Sequence, residues 1–439
     1  MSSSIGDGCA DDIGALLIWC DQRTEEQSKA ITERVGANEL IALTANPALT
    51  NFTLTKMLWV QQHEPEIWSR VRSFLLPKDY VRFRLTGIKA TDVADASGTL
   101  LLDVARRQWS DAMLEISGIE AFVLPQLFES QEITGGISAE AARLTGLVQG
   151  TPVVAGAGDQ AAGAVGMGIV EPGAVNAIIG SSGVVFAATG GPYLDPRGRL
   201  HTFCHAIPNR WHVMGVTQAA GLSLKWFCDQ FGTIPQNGDD PYVPLINEAA
   251  TTPAGADGLL WTPYLLGERT PHLDPEARGA LFGLTVRHTR AHVVRAILEG
   301  VAFSLRDTLT ILKELNIPAY SIRLGGGGSR SPLWRQIQAN VYGMAVDLLE
   351  AEEGAAFGAA LLAGVGTGIW PNVDAACTAA VRVAERIKPQ PETAALMDRQ
   401  YAAYQKLYPA LWQLSHEVHA LQAQQGANHQ AKPAALRST

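Results

Sequence analysis

Short apolar runs alternate with stretches of helical periodicity along nearly the whole chain, the pattern of an α/β protein. Ala15-Leu16-Leu17-Ile18-Trp19 reads as a buried strand. Thr24 and Gln27 then fit a capping box, and Gly36 ends the helix that follows. Thr151 to Ala155 predicts a second strand, which runs through Gly156-Ala157-Gly158-Asp159 into a helix of small residues. Gly168-Ile169-Val170-Glu171-Pro172-Gly173 has the punctuation of a domain boundary. Beyond it, Ala174 to Ile179 and Val184 to Ala187 flank a glycine-serine turn, as a hairpin would.

Further on, Ser321 to Leu324 predicts a strand that ends in four glycines. The next helix takes Ser331 as N-cap and Pro332 in its first turn, and Gly343 closes it. Its Leu333, Trp334, Ile337 and Val341 share one face. An amphipathic helix is expected from about Pro391 to Leu421, followed by a tail rich in Gln, Ala and Asn expected to be disordered. At 439 residues the chain exceeds one ordinary core. The expected division is 1–168, 169–421 and a tail 422–439.

Composition narrows the function more than the fold. A formal charge of -9 argues against non-specific nucleic-acid binding, which needs dense Lys and Arg. It leaves nucleotides open, because a few backbone amides hold phosphates without a basic patch. Five scattered cysteines without a CxxC pair predict a reduced, cytoplasmic protein without a zinc site. The ten histidines show neither HxH nor HExxH, so no dedicated protein metal site is expected. No apolar run approaches the roughly 18 to 20 residues of a membrane span.

Against that background a few positions stand out. Asp159 sits where a strand passes through a glycine turn into a helix. It reads either as an N-cap aspartate or as a general base at the mouth of a cleft, able to accept a hydroxyl proton during phosphoryl transfer. Gly180-Ser181-Ser182-Gly183 is either a plain hairpin turn or a cradle for phosphate oxygens. Leu324-Gly325-Gly326-Gly327-Gly328-Ser329-Arg330 precedes a helix N-terminus, where amides and the helix dipole attract anions. Four glycines in a row are unusual for packing alone, and their missing side chains would let a phosphate or a flat ring lie on the backbone. Trp19 and Asp21 follow the first strand and suit a polyol, or are a core indole beside a solvated acid. Gly267-Glu268-Arg269-Thr270-Pro271-His272 is a polar loop that would suit a cleft wall. GxxxxGK[ST] is absent, and the run at Gly325 does not fit GxGxxG, so neither a P-loop protein nor a Rossmann dehydrogenase is expected.

The order of these elements resembles the FGGY carbohydrate kinases. Gly279-Ala280-Leu281-Phe282-Gly283-Leu284, then seven residues, then His292-Val293-Val294-Arg295-Ala296-Ile297-Leu298-Glu299, matches their C-terminal signature. Asn51 to Val60 is similar to their N-terminal signature, with Asn51 departing from the small or apolar residue usual there. Leu76-Pro77-Lys78-Asp79-Tyr80, Asp95-Ala96-Ser97-Gly98-Thr99, Gly156 to Gly166, His201 to His205 and Gly267 to His272 resemble the members that phosphorylate D-xylulose.

The resemblance implies two actin-like (ribonuclease-H-like) domains closing over a cleft. It implies Asp159 as the base and Gln160 as a sugar contact, on the same substrate that the residue reading gives Trp19 and Asp21. Gly180 and Ser181, with Ser182 of the same turn by the residue reading, would serve the phosphates, Gly326, Gly327 and Ser331 the adenosine, and Gly283 the approach to the nucleotide. ATP would be the donor, Mg²⁺ would be held mainly by its phosphates and water, and a homodimer is conceivable. Family members begin with an Asp-x-Gly-Thr type phosphate loop, whereas this sequence starts just before the strand at Trp19. The first domain is therefore expected to be incomplete, with exposed sheet edges. Three functions remain open: phosphorylation of D-xylulose, binding of nucleotide or sugar without turnover, and phosphorylation of another polyol or sugar.

Overall fold

The computed structural model describes residues 17, 21–232, 240–351 and 354–430. Trp19 and most of the strand expected at Ala15 to Trp19 lie outside the described residues. The part up to Gly166 is built of short pieces. Helices Glu25–Val35, Ala37–Thr44, Thr53–His63 and Asp111–Ser117 enclose a core that includes Leu40, Phe52, Leu54 and Met113. Among the described residues the strands here pair only two by two: Ala90–Asp92 with Gln126–Phe128, Leu102–Asp103 with Gln108–Trp109, and Ile133–Gly136 with Pro152–Val154.

After the turn at Gly168–Gly173 the architecture changes to one seven-stranded sheet. Its order is Val383–Ile387, Val346–Leu349, Ser321–Gly325, Ala174–Ile179, Gly183–Thr189, Trp211–Thr217, His201–Cys204. Ser321–Gly325 is parallel to both of its neighbours, and the other ladders are antiparallel. The 25-residue helix Arg290–Glu314 packs across this sheet, with a continuous buried run from Val294 to Leu305. A second intimate helix pair, Asp159–Gly166 with Gly354–Gly366, depends on missing side chains. A Cβ on Gly358 would lie 1.8 Å from the Ala162 carbonyl oxygen, and one on Gly166 1.9 Å from that of Gly354.

Most predicted elements are present, and three details differ. Thr24 begins its helix without capping it; its hydroxyl turns to the Thr50 carbonyl and Thr55, while Gln27 binds Gln62. Tertiary partners thus replace the expected capping box. The helix expected from Pro391 to Leu421 is two helices, Pro391–Tyr404 and Leu407–Gln430. The second continues through residues 422–430, which the sequence reading assigned to a disordered tail; a helix docked on the body through Leu407 and Tyr408 can propagate through such residues one hydrogen bond at a time. Ser331, by contrast, caps as expected: its hydroxyl accepts from the Trp334 amide at 3.3 Å, and Pro332 follows.

Candidate active site

Asp159 is the first residue of its helix, and Gly158, which has no side chain to offer, occupies the N-cap. The cap reading of Asp159 is therefore corrected: its carboxylate is exposed at the helix N-terminus and accepts a hydrogen bond from Gln160 Nε2 at 3.2 Å. The dipole of the helix favours a negative charge at this end.

Asp159 and Gln160 line a cavity of about 370 Å³ together with Gly326 and Gly327. Gly180, Ser181 and Ser331 line a second cavity, of about 460 Å³, walled by Leu222, Tyr242 and Trp334. Gly327 and Arg330 border both, so the glycine loop separates the two. An apolar-walled chamber of nucleotide size next to a carboxylate-bearing one is an arrangement that can bring a phosphate chain to a hydroxyl.

The four glycines of the loop do different jobs. A Cβ on Gly325 would press on Ile178 at 3.3 Å, and one on Gly328 would enter the Ile179 side chain at 2.6 Å. Gly326 has φ +72°, and its Cβ would lie 2.5 Å from the Ile179 carbonyl oxygen. Only at Gly327 is the nearest atom 3.9 Å away. Three of the four are glycine for packing against Ile178–Ile179, and Gly327 is the open one. Arg335 holds the loop from behind, donating to the Ser329 and Arg330 carbonyls.

The Gly180–Gly183 turn is tied to the helix Ala220–Phe231. The carbonyls of Gly180 and Ser181 accept from the Gly221 and Leu222 amides at 2.8 and 3.1 Å. Ser182 lines neither cavity; its carbonyl accepts from the Gly180 amide at 2.9 Å and closes the turn.

Two other candidates stand apart. Asp21 lines neither cavity and is bound to Arg23, whose hydrogen bonds hold its carboxyl below the usual range. Gly283, at the end of Ala280–Phe282, lines neither either; its φ of +99° and the Gly258 carbonyl, 2.9 Å from a Cβ there, give it a packing role. In the polar loop Gly267–His272, Glu268 and His272 are held by internal contacts. Buried Glu268 accepts from Thr217, the Gln218 amide and the Arg269 amide, and burial pushes its carboxyl up to about 8. His272 stacks on Tyr408 at 3.5 Å.

Sequence reasoning missed a charged cluster behind the turn that leads into Asp159. Lys78 Nζ lies 2.6 Å from Asp79, 2.5 Å from Asp92 and 3.3 Å from Asp95, and Arg82 meets Asp79 at 2.8 Å. Burial pulls the Lys78 ammonium toward deprotonation, but the three carboxylates together raise it, so it stays charged. The signal was present as charged residues in Pro77-Lys78-Asp79-Tyr80-Val81-Arg82 and in Asp92-Val93-Ala94-Asp95, two stretches whose proximity no local pattern reveals. Among the described residues no group of three or more His, Cys, Asp or Glu is placed to hold a metal ion, and no helix is long and apolar enough to cross a membrane.

Comparison with known proteins agrees with this geometry. The family model for the FGGY family of carbohydrate kinases, N-terminal domain, matches residues 7–166, and that for the C-terminal domain matches residues 175–367. A xylulose kinase of Bacillus subtilis (strain 168) is 39% identical over 392 residues, 89% of this chain and 77% of the relative. A xylulose kinase of Escherichia coli (strain K12) is 41% identical over 350 residues, 79% of this chain and 70% of the relative. The crystal structure of a "xyloylose kinase" from Brucella ovis superposes with a TM-score of 0.83 at 37% identity, covering 90% of this chain and 80% of that one. Fold and site together define a two-domain kinase of the actin-like (ribonuclease-H-like) type. The chain belongs to the FGGY family of carbohydrate kinases, enzymes that phosphorylate a sugar from ATP.

Proposed function

We propose that this chain transfers the γ-phosphoryl group of ATP to a hydroxyl of D-xylulose, with Asp159 as general base. The observation that carries this reading is the position of Asp159, an exposed carboxylate in a cavity separated from a nucleotide-sized chamber by Gly327 and Arg330 alone among shared residues. The xylulose kinases at 39% and 41% identity support the choice of sugar.

In this reading adenosine occupies the larger cavity, against Tyr242 and Trp334, with Ser331 at its edge. The phosphates run past Gly180–Ser181 and the open face of Gly327 toward the smaller cavity. Asp159 takes the proton of the attacking hydroxyl as the new O–P bond forms and the β–γ bridge breaks, releasing ADP. Gln160, hydrogen-bonded to the base, orients it and reaches the sugar. Mg²⁺ would come bound to ATP and neutralise phosphate charge.

A coupled assay of ADP release with D-xylulose, glycerol and gluconate tests both parts. Asp159→Asn should lower kcat by about 10²- to 10⁴-fold while ATP binding persists. Full turnover by that variant overturns the role of Asp159; a preference for glycerol or gluconate overturns the sugar.

A further inference from the structure

Gly158, immediately before the base, has φ −57° and ψ 153°, a conformation open to any residue. Its backbone therefore does not require glycine. The surroundings crowd it instead: a Cβ there would lie 3.0 Å from Asp95 Oδ1 and 3.4 Å from Asp95 Cγ, the nearest atoms to it. Asp95 thus packs directly under the residue that begins the base helix.

The same cluster grips the other end of the turn. Arg82, on the helix Pro77–Thr86, donates to the carbonyl of Ala155, the residue between the strand Pro152–Val154 and Gly156. It also donates to the Ala90 carbonyl and meets Asp79 at 2.8 Å. Asp92 caps the short helix that carries Asp95, its Oδ1 accepting the Asp95 amide at 3.0 Å. Lys78 joins the three carboxylates. The two side chains facing the turn, Arg82 and Asp95, are thus linked through Asp79 and Lys78 into one unit.

We infer that Lys78, Asp79, Arg82, Asp92 and Asp95 form a positioning unit that sets the Ala155–Gly158 turn, and with it the Asp159 carboxylate. None of the five is a catalytic residue; they act through the backbone of the turn. Buried ion clusters add little net stability, because desolvation offsets their attraction, so placing a neighbour is the stronger reason for this one. Asp79 and Asp92 have fully buried side chains, and Lys78 keeps 27% of its side chain exposed. Asp95 keeps 30%, and burial together with the like charges of Asp92 and Asp79 pushes its carboxyl up to about 6 against the pull of Lys78.

This inference rests on Asp159 being the base, and a double-mutant cycle in the full chain separates the two. Gly158→Ala adds one methyl group whose nearest neighbour is Asp95, on a backbone that accepts alanine. It should lower kcat by about tenfold, with KM for ATP within about twofold and the melting temperature nearly unchanged, since displacing a reacting group by a fraction of an ångström is costly in rate. In an Asp95→Ala background the same methyl meets no carboxylate, so the further loss from Gly158→Ala should shrink to less than about twofold. Asp95→Ser, which removes the atoms nearest the new methyl and keeps a polar group, should show the same shrinkage and replaces Asp95→Ala if the latter does not fold. The inference is overturned if Gly158→Ala turns over like wild type, if the two losses simply multiply, or if kcat falls only in step with melting temperature. If Asp159→Asn itself turns over normally, the reading of the base has failed instead.

Discussion

Two turns of this molecule have the same local punctuation, glycines after a strand and before a helix, and are held by opposite means. The turn Gly156–Asp159 is gripped by ions: Arg82 on the Ala155 carbonyl and Asp95 under Gly158. The loop Gly325–Gly328 is gripped by close packing, with Gly325, Gly326 and Gly328 pressed on Ile178–Ile179. The first presents a charged side chain and the second presents bare backbone at Gly327. In the proposed reading the first turn fixes the base, and the second offers a phosphate or flat ring a wall without side chains. Glycine in sequence reports neither; it reports only that a Cβ is unwelcome.

The largest effect that tests this contrast is on rate. Asp159→Asn should cost about 10²- to 10⁴-fold in kcat and leave the loop Gly325–Gly328 intact, measured as unchanged ATP affinity by calorimetry. Gly326→Ala should do the reverse. The left-handed φ of +72° and a carbonyl oxygen 2.5 Å from the new Cβ should destabilise the fold by about 2–4 kcal/mol in denaturant titration and weaken ATP binding. Equal effects of the two variants on ATP affinity would dissolve the distinction.

A smaller effect should appear with pH. The folded Asp95 carboxyl sits at about 6, above its free value of 3.8. Between those values the folded chain holds a proton that the unfolded chain has released, so this group's contribution to stability rises as pH falls through the window and is least above it. Burial lowers His201 to about 3 and His205 to about 4, which tilts the curve the other way. The comparison is therefore Asp95→Asn against wild type, in which the histidines cancel. Wild type should gain about 1–3 kcal/mol on the variant from pH 7 to pH 4.5 in urea midpoints. The Gly326→Ala loss should be the same at both pH values, because its clash involves no titrating group. The smallest expected change is Ser331→Ala, which removes one cap bond and about 1 kcal/mol, with nucleotide affinity reduced only as far as the helix start loosens.

The elements around both turns were legible because local rules specify them: strands Pro152–Val154 and Ser321–Gly325, the hairpin at Gly180–Gly183, the Ser331 cap and the stop at Gly343. Asp159, Gln160, Gly180, Ser181, Gly326, Gly327 and Ser331 do converge on two adjoining cavities. Other side chains have settings that the sequence did not show, for one shared reason. The hydroxyl of Thr24, the carboxylates of Asp21 and Glu268 and the glycine at 283 are each committed to partners that local sequence does not display. A polar loop such as Gly267–His272 looks the same whether it faces a ligand or fastens itself to Thr217 and Tyr408.

By itself, then, the sequence determined the α/β alternation, the glycine turns and their helices, and the kinase family whose motifs these residues match in order. Those properties depend on neighbours in the chain, through hydrophobic period, caps and backbone freedom. Only the tertiary structure decided that Gly158, not Asp159, caps the helix that Asp159 begins, that one glycine in four is open, and that five charged residues from two separate stretches stand behind the Gly156–Asp159 turn. Close approach between distant segments excludes a Cβ or pairs a charge, and no local pattern carries that information.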